Sequence, residues 1–166
     1  MAVIIAAPIL GALVILQSVV LSRVPLLYGT PDLVLLAVIA WALQKRVQTA
    51  WQWGIIGGLF VSYVSALPFG ILLFGYLLVV GLVLAMRSRI WQVPILAMFI
   101  ATFVGTLITH LLALIALRII GNPISWLEAL NMITLPSVIY NMMLALPFFV
   151  LLGDLAKWLY PEEIEI

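Results

Sequence analysis

The polar side chains that could do chemistry in this sequence lie inside long apolar runs. His110 follows Thr102 and Thr106 at intervals of four residues, a spacing that puts all three side chains on one face of a helix. A histidine inside a membrane helix can relay a proton or contact a ligand. No carboxylate shares its predicted helix, and Arg118 marks a nearby helix end. A hydrogen-bonded packing role is therefore the favoured interpretation, and one histidine is too few for a metal site.

An acid and two amides are further candidates. Asn131 and Asn141 lie in the last apolar run. Asn141 is expected near mid-membrane, where its amide needs partners such as the carbonyl groups freed by Pro136. Asp32 could act as an acid, but its place directly after Pro31 is already explained by the favourable charge of an acid at a helix N-terminus. No acid is expected in the middle of a span, which argues against an ion-coupled pump.

A stripe of small residues forms a third pattern. Gly54, Gly58 and Ser62 recur at intervals of four residues in the third apolar segment. Small residues at this spacing let helix backbones approach closely. The stripe is either a docking face for a partner's helix or a packing face inside the bundle, and internal packing is favoured.

Sequence patterns of catalysis are missing. The chain has no cysteine, which removes thiolate chemistry and zinc–thiolate sites. It has no phosphate-binding glycine loop, no metal-ligand spacing and no nucleophile motif. We therefore expect no enzyme activity, no catalytic residue, no cofactor and no metal.

The composition decides the class of protein. Of the 166 residues, 67% are hydrophobic and only 8% are charged, whereas a soluble domain carries roughly a quarter charged residues. The mean hydropathy is +1.36. Such a surface is compatible with membrane lipids and not with water. The net charge of +1 gives no field that would favour nucleic acid.

The charged residues divide the apolar sequence into about six predicted transmembrane helices, because a central charge is costly in a membrane. The predicted all-α bundle occupies residues 1–153, and Gly153 is expected to end the last helix. The spans are expected near residues 2–22, 31–43, 51–66, 69–86, 93–117 and 126–152.

Local signals refine these spans. Thr30 is expected to cap the second segment, with Pro31 at its first helical position. Pro68 and Gly70 belong to a tight turn between the third and fourth segments. Pro136 and Pro147 should kink the last one.

Orientation follows from the basic residues. Six spans would place five Lys and Arg residues on the side of both termini and two on the other side, which predicts that both termini are cytoplasmic. Residues 154–166 are expected to form an interfacial helix and an acidic cytoplasmic tail. The five are Lys45, Arg46, Arg87, Arg89 and Lys157, and the two are Arg23 and Arg118.

Three groups of short motifs carry a family resemblance. They lie at residues 16–21 with 30–36 and 41–43, at 53–59 with 65–70, and at 136–141 with 146–147. In this order and spacing they resemble the bacterial MreD family of rod shape-determining membrane proteins. The chain departs from the family in the third segment, where many members carry an acid and this chain has Ser62.

The resemblance implies a non-enzymatic scaffold of the cell-elongation (rod) machinery in the bacterial cytoplasmic membrane. Such a protein is expected to bind MreC and, with it, RodA and a class B penicillin-binding transpeptidase, coupled indirectly to MreB. It would thereby regulate peptidoglycan synthesis. The residues that carry over have shape-determining rather than catalytic roles: Pro31, Asp32, Pro68, Gly70, Pro136, Tyr140 and Asn141.

A second class of membrane protein remains open. Substrate-binding subunits of energy-coupling-factor vitamin importers also have six helices in a chain of this size. In that case His110, Trp126, Asn131 and Asn141 would line an outward pocket. A small molecule retained through purification would favour this reading over the scaffold.

Overall fold

The computed structural model describes residues 2–19, 28–87, 93–122 and 124–161. Five helices precede a long last helix that has three consecutive parts: α6, a π-helical segment and α7. In chain order the elements are α1 (Ala2–Val19), α2 (Leu33–Leu43), α3 (Ala50–Val64), α4 (Ile71–Arg87), α5 (Pro94–Ile119), α6 (Trp126–Glu128), the π-helical segment (Ala129–Thr134) and α7 (Leu135–Leu159).

Three helices in the described part of the chain are long and apolar enough to cross a membrane: Ala2–Val19, Pro94–Ile119 and the continuous run Trp126–Leu159. A hydrocarbon core needs about 20 apolar residues in a helix. Helices α2 and α4 are apolar but shorter. The predicted class, an all-helical membrane protein, is confirmed at this level.

Helix α2 is the centre of the bundle. All ten residues from Leu33 to Ala42 are buried, and the helix contacts α1, α3, α4, α5 and α7. A helix that is apolar all round must be covered on every side. The five surrounding helices provide this cover.

The start of α2 differs from the prediction. The capping residue is Asp32, not Thr30, because the Asp32 carboxylate accepts a hydrogen bond from the Leu35 backbone N–H at 2.9 Å. Pro31 lies before the helix rather than in its first turn.

The end of the last helix also differs from the prediction. Helix α7 passes through Gly153 without interruption and ends at Leu159, before Pro161. An α-helix tolerates glycine when its neighbours keep the backbone bonds, at a cost of about 1 kcal/mol relative to alanine. Residues 154–159 therefore continue α7 and are not a separate helix. The acidic tail at 162–166 lies outside the described residues, as do Arg23 and Arg89.

The turn between α3 and α4 agrees with the prediction. Pro68 accepts a backbone hydrogen bond from Ile71 at 3.3 Å. Gly70 has a φ of 93°, a left-handed conformation that favours glycine. The turn is exposed, and its role is to reverse the chain.

Candidate functional site

Pro136 and the chain before α2 meet at the start of α7. Proline has no N–H and cannot bond to the carbonyl four residues earlier, which here belongs to Met132. The Tyr28 backbone N–H donates to that Met132 carbonyl at 3.1 Å. A carbonyl freed by Pro136 thus finds a partner, as expected, but the partner is Tyr28 and not Asn141.

The chain then continues along α7 toward the middle of the bundle. The Thr30 N–H donates to Ser137 Oγ at 3.1 Å, and the Asp32 N–H donates to Asn141 Oδ1 at 2.8 Å. Non-helical backbone at membrane depth needs hydrogen-bond partners from the protein, as these groups have here. The side chains of α7 therefore act as partners for the extended residues 28–32.

The spacing of these contacts follows from simple geometry. Residues 28 to 32 cover about 13 Å as extended chain at about 3.3 Å per residue. Residues 132 to 141 cover about 13.5 Å as helix at about 1.5 Å per residue. The two lengths match, so every second residue of the extended segment lies beside the next turn of the last helix.

Gly29 permits the close approach of the two segments. A Cβ atom at this position would lie 2.5 Å from Pro136 Cβ and 2.7 Å from the Ser137 backbone nitrogen. Real Cβ atoms do not come this close to such atoms, so no other residue fits without a shift of the backbone.

The Asp32 carboxylate has several hydrogen-bond donors around it. Its Oδ1 accepts from the Tyr76 hydroxyl at 2.6 Å and from the Leu35 N–H at 2.9 Å. The next N–H, that of Leu33, donates to Gln17 Oε1 at 3.0 Å. The N-terminus of α2 is thus satisfied by side chains of α1, α7 and Asp32 itself.

Asn141 extends the contacts to α5. Its Nδ2 donates to Thr106 Oγ1 at 2.9 Å, and that hydroxyl donates to the Thr102 carbonyl at 2.8 Å. Asn141 and Thr106 are almost completely buried. We call these connected residues the mid-bundle network: Asp32, Tyr76, Asn141 and Thr106.

The depth of Asp32 refines the sequence analysis. Asp32 is bonded to Asn141, which lies near the middle of Trp126–Leu159 and itself bonds Thr106 at the midpoint of α5. The prediction that no acid lies in the middle of a span agrees with the described helices, since Asp32 precedes α2. What was not expected is that Asp32 lies level with the middle of two neighbouring helices, because α2 begins inside the bundle.

A cavity of about 230 Å³ adjoins the network. His110 lines it, and His110 Nδ1 lies 3.2 Å from Thr134 Oγ1 in the π-helical segment. This hydrogen bond agrees with the interpretation of a bonded packing histidine. The polar residues that line this mid-bundle cavity are Thr30, Asp32, Thr109, His110, Thr134 and Ser137.

The small-residue stripe is not a docking face. Gly54 and Gly58 are buried against α4, where a Cβ at Gly58 would lie 2.9 Å from the Leu73 Cα. Ser62 Oγ accepts from the Leu73 N–H at 3.0 Å. The candidate partner-docking role of these three residues is corrected to internal packing, because α4 of the same chain occupies the face.

The remaining candidates fall in different places. Tyr140 is half-buried next to Asn141 in sequence, and it does not line the mid-bundle cavity. Asn131 is exposed, while Trp126 borders a second cavity that also includes His110. The four residues expected to line one outward pocket are therefore not brought together.

Sequence reasoning missed Tyr76, which belongs to no recognisable motif. It also gave no role to Ser137, although Ser137 lies in the motif at residues 136–141. The available signal was general: a buried tyrosine hydroxyl needs a hydrogen-bond partner. Nothing in the sequence tells which acid supplies it.

The arrangement holds polar backbone inside an apolar bundle and leaves a small polar cavity beside one carboxylate. Within the described residues, no three His, Asp or Glu side chains are grouped as metal ligands. No family model matches the chain, and no curated protein or solved structure shows significant similarity to it.

Proposed function

We propose that this chain is a non-enzymatic scaffold subunit of the bacterial cell-elongation machinery, resident in the cytoplasmic membrane. It would cross the membrane six times with both termini inside. It would bind MreC and so influence peptidoglycan synthesis by RodA and a class B transpeptidase.

This proposal is supported by the positions of the MreD-like motifs in the fold. The first group includes Gln17 and Asp32, and the last includes Ser137 and Asn141. The side chains of Gln17, Ser137 and Asn141 accept hydrogen bonds from backbone N–H groups at the start of α2, including that of Asp32. Motifs that are far apart in sequence but bond to one another support a common, shape-determining role for them.

The distribution of basic residues supports the orientation. Arg87 donates to the carbonyls of Gln44 and Val47 after α2, and Arg46 donates to the Tyr160 carbonyl after α7. These contacts place the basic side chains together at one end of the bundle. Arg118, at the C-terminus of α5, lies at the opposite end. The basic end is the cytoplasmic one if the chain follows the positive-inside rule.

The surface that best fits a partner's helix is a groove between α1 and α3. It has a volume of about 490 Å³ and is lined almost entirely by apolar groups, with Tyr63 and Phe69 at 84% and 68% exposure. Gly11 lines the groove, and a small residue at such a position lets a second helix come close. In this proposal the single membrane helix of MreC binds in the α1–α3 groove. It does not bind at the stripe of Gly54, Gly58 and Ser62, which α4 already covers.

The test is recovery of MreC with the Gly11→Trp variant from native membranes. An added side chain at Gly11 has space, since its Cβ would be 3.6 Å from the nearest Phe60 atom, so the helix should fold while the groove is filled. We expect roughly tenfold less MreC, equivalent to about 1.4 kcal/mol. The matched control is Ile115→Trp on exposed α5, which should retain MreC. Equal recovery from both variants contradicts the proposed surface.

The alternative is the substrate-binding subunit of a vitamin importer, and its support is the mid-bundle cavity. Of the four residues expected for its pocket, this cavity includes His110 alone. A vitamin-sized molecule that remains bound through purification, together with loss of MreC recovery, would favour the importer over the scaffold.

A further inference from the structure

The Asp32 carboxyl group has hydrogen-bond donors but no lysine or arginine partner in its described surroundings. It is only partly covered and lines the mid-bundle cavity. Among the described residues around that cavity there is no lysine or arginine. The Arg118 guanidinium, at the same end of α5, donates to the Ile124 carbonyl and lies 4.6 Å from the Trp126 ring centroid.

An ionised carboxylate in a membrane interior is costly unless a cation or several donors accompany it. The Tyr76 hydroxyl and the backbone N–H groups of Val34 and Leu35 donate to this carboxylate, which can accept about four hydrogen bonds. Asp32 also lines the cavity, so the cavity is the space from which a cation would approach it.

The lining has two chemically different parts. The polar part consists of Asp32, His110 and the hydroxyl groups of Thr30, Thr109, Thr134 and Ser137, whose oxygens can accept hydrogen bonds. The remaining wall is aliphatic and comes mainly from α5 and the π-helical segment. It includes Leu72, Ala113, Leu114, Leu117 and Ile133.

We propose that the mid-bundle cavity binds a small molecule with a protonated amine and a short apolar body. The ammonium group pairs with Asp32 and donates to the neighbouring hydroxyls, and the apolar body lies against the aliphatic wall. The cavity volume of about 230 Å³ is below the roughly 300–1000 Å³ typical of drug-sized ligands, so the ligand is small. This site is distinct from the α1–α3 groove and does not depend on MreC.

The experiment uses the full chain in phosphatidylcholine nanodiscs, with n-butylamine as the probe and n-butanol as its neutral counterpart. Thermal unfolding is followed by tryptophan fluorescence over a concentration series. We expect butylamine to raise the Tm in a saturable manner and butanol to have no saturable effect. In Asp32→Asn the apparent affinity for butylamine should fall at least tenfold. The shape-matched Asn can still accept from Tyr76 and Leu35.

Two further variants keep the test decisive. Asp154→Asn changes an exposed acid at the other end of the bundle and should keep the full response. Ala113→Phe fills the aliphatic part of the cavity without touching Asp32, and it should abolish the response even if Asp32→Asn fails to fold. Leu111→Phe, on an exposed face of the same helix, is its control.

Three outcomes would overturn the proposal. One is an equal response to butylamine and butanol. Another is an undiminished butylamine response in Ala113→Phe or in folded Asp32→Asn. The third is a saturable Tm rise with sodium chloride that equals the rise with butylamine, which would assign the cavity to an inorganic cation.

Discussion

The backbone groups at the two ends of α2 are satisfied by side chains of opposite charge type, an acid at one end and a cation at the other. At its N-terminus the helix begins inside the bundle, and the acid Asp32 and the amide Asn141 satisfy the backbone. At its C-terminus Arg87 Nη1 lies 3.0–3.3 Å from the carbonyls of Ala42, Gln44 and Val47. An acid at the start and a cation at the end both complement the helix dipole.

The difference between the ends lies in what surrounds them. Near the C-terminus, Trp41 stacks on Trp53 with ring centroids 4.3 Å apart, and Trp41 Nε1 donates to Thr49. Near the N-terminus, the helix meets extended chain, small hydroxyl groups and the mid-bundle cavity. One end of the helix is surrounded by stacked aromatic rings and a cation, and the other by an acid, amides and hydroxyl groups. With the proposed amine site, the C-terminal end would serve mainly stability and the N-terminal end would also serve binding.

The largest expected effect is at the C-terminal end. Arg87→Met keeps the aliphatic stem but leaves three carbonyls without their cationic donor. Hydrogen bonds to charged groups contribute about 1.5–3 kcal/mol each, and they are not additive, so we expect a loss of about 3 kcal/mol. Unfolding in a titration with sodium dodecyl sulfate measures the free energy. Lys157→Met is the control, since its exposed pair with Asp154 should contribute under about 1 kcal/mol. Similar losses from the two variants would remove the Arg87 cap as a major source of stability.

A smaller effect is expected at the N-terminal end from Asn141→Leu. The change removes the acceptor for the Asp32 N–H and the donor to Thr106, and it leaves a buried N–H unsatisfied at a cost of about 1–3 kcal/mol. We expect the free energy of unfolding to fall by about 2 kcal/mol in the same titration. Asn131→Leu, at an exposed site in the same helix, should be close to neutral. A neutral Asn141→Leu would show that α2 does not need α7 for its start.

The smallest effect is expected from Tyr76→Phe. The ring stays in place and a single O–H donor to Asp32 is lost, so the free energy of unfolding should fall by about 1 kcal/mol. Tyr63→Phe, with its side chain 84% exposed, is the matched control. If Tyr76→Phe costs more than Asn141→Leu, the acid and not the amide is the main support of the N-terminal end.

The fold class and the positions of most helices could be predicted from the sequence, because apolar length and charge position reflect the cost of burying charges in lipid. The short second segment was also visible as a short apolar run. Its place in the bundle was not visible, since burial on all sides depends on five other helices.

The site was harder to predict than the helices. Asp32 was recognised as a group that interacts with a helix N-terminus, but its depth depends on Ser137 and Asn141, which are more than 100 residues away in sequence. The spacing of Gly54, Gly58 and Ser62 predicted close packing correctly. Spacing alone does not tell whether the neighbouring helix belongs to the same chain.

The bonds between residues 28–32 and α7 also have a consequence for biosynthesis. Thr30 and Ser137 are separated by 107 positions, which takes roughly 5–20 s at a synthesis rate of about 5–20 residues per second. During this interval the start of α2 has Gln17 and Asp32 but lacks the acceptors Ser137 and Asn141. The nascent protein therefore has a segment at the membrane some of whose backbone polar groups lack hydrogen-bond partners until the last helix is made. Loss of the C-terminal helix would leave the beginning of the chain unfinished as well.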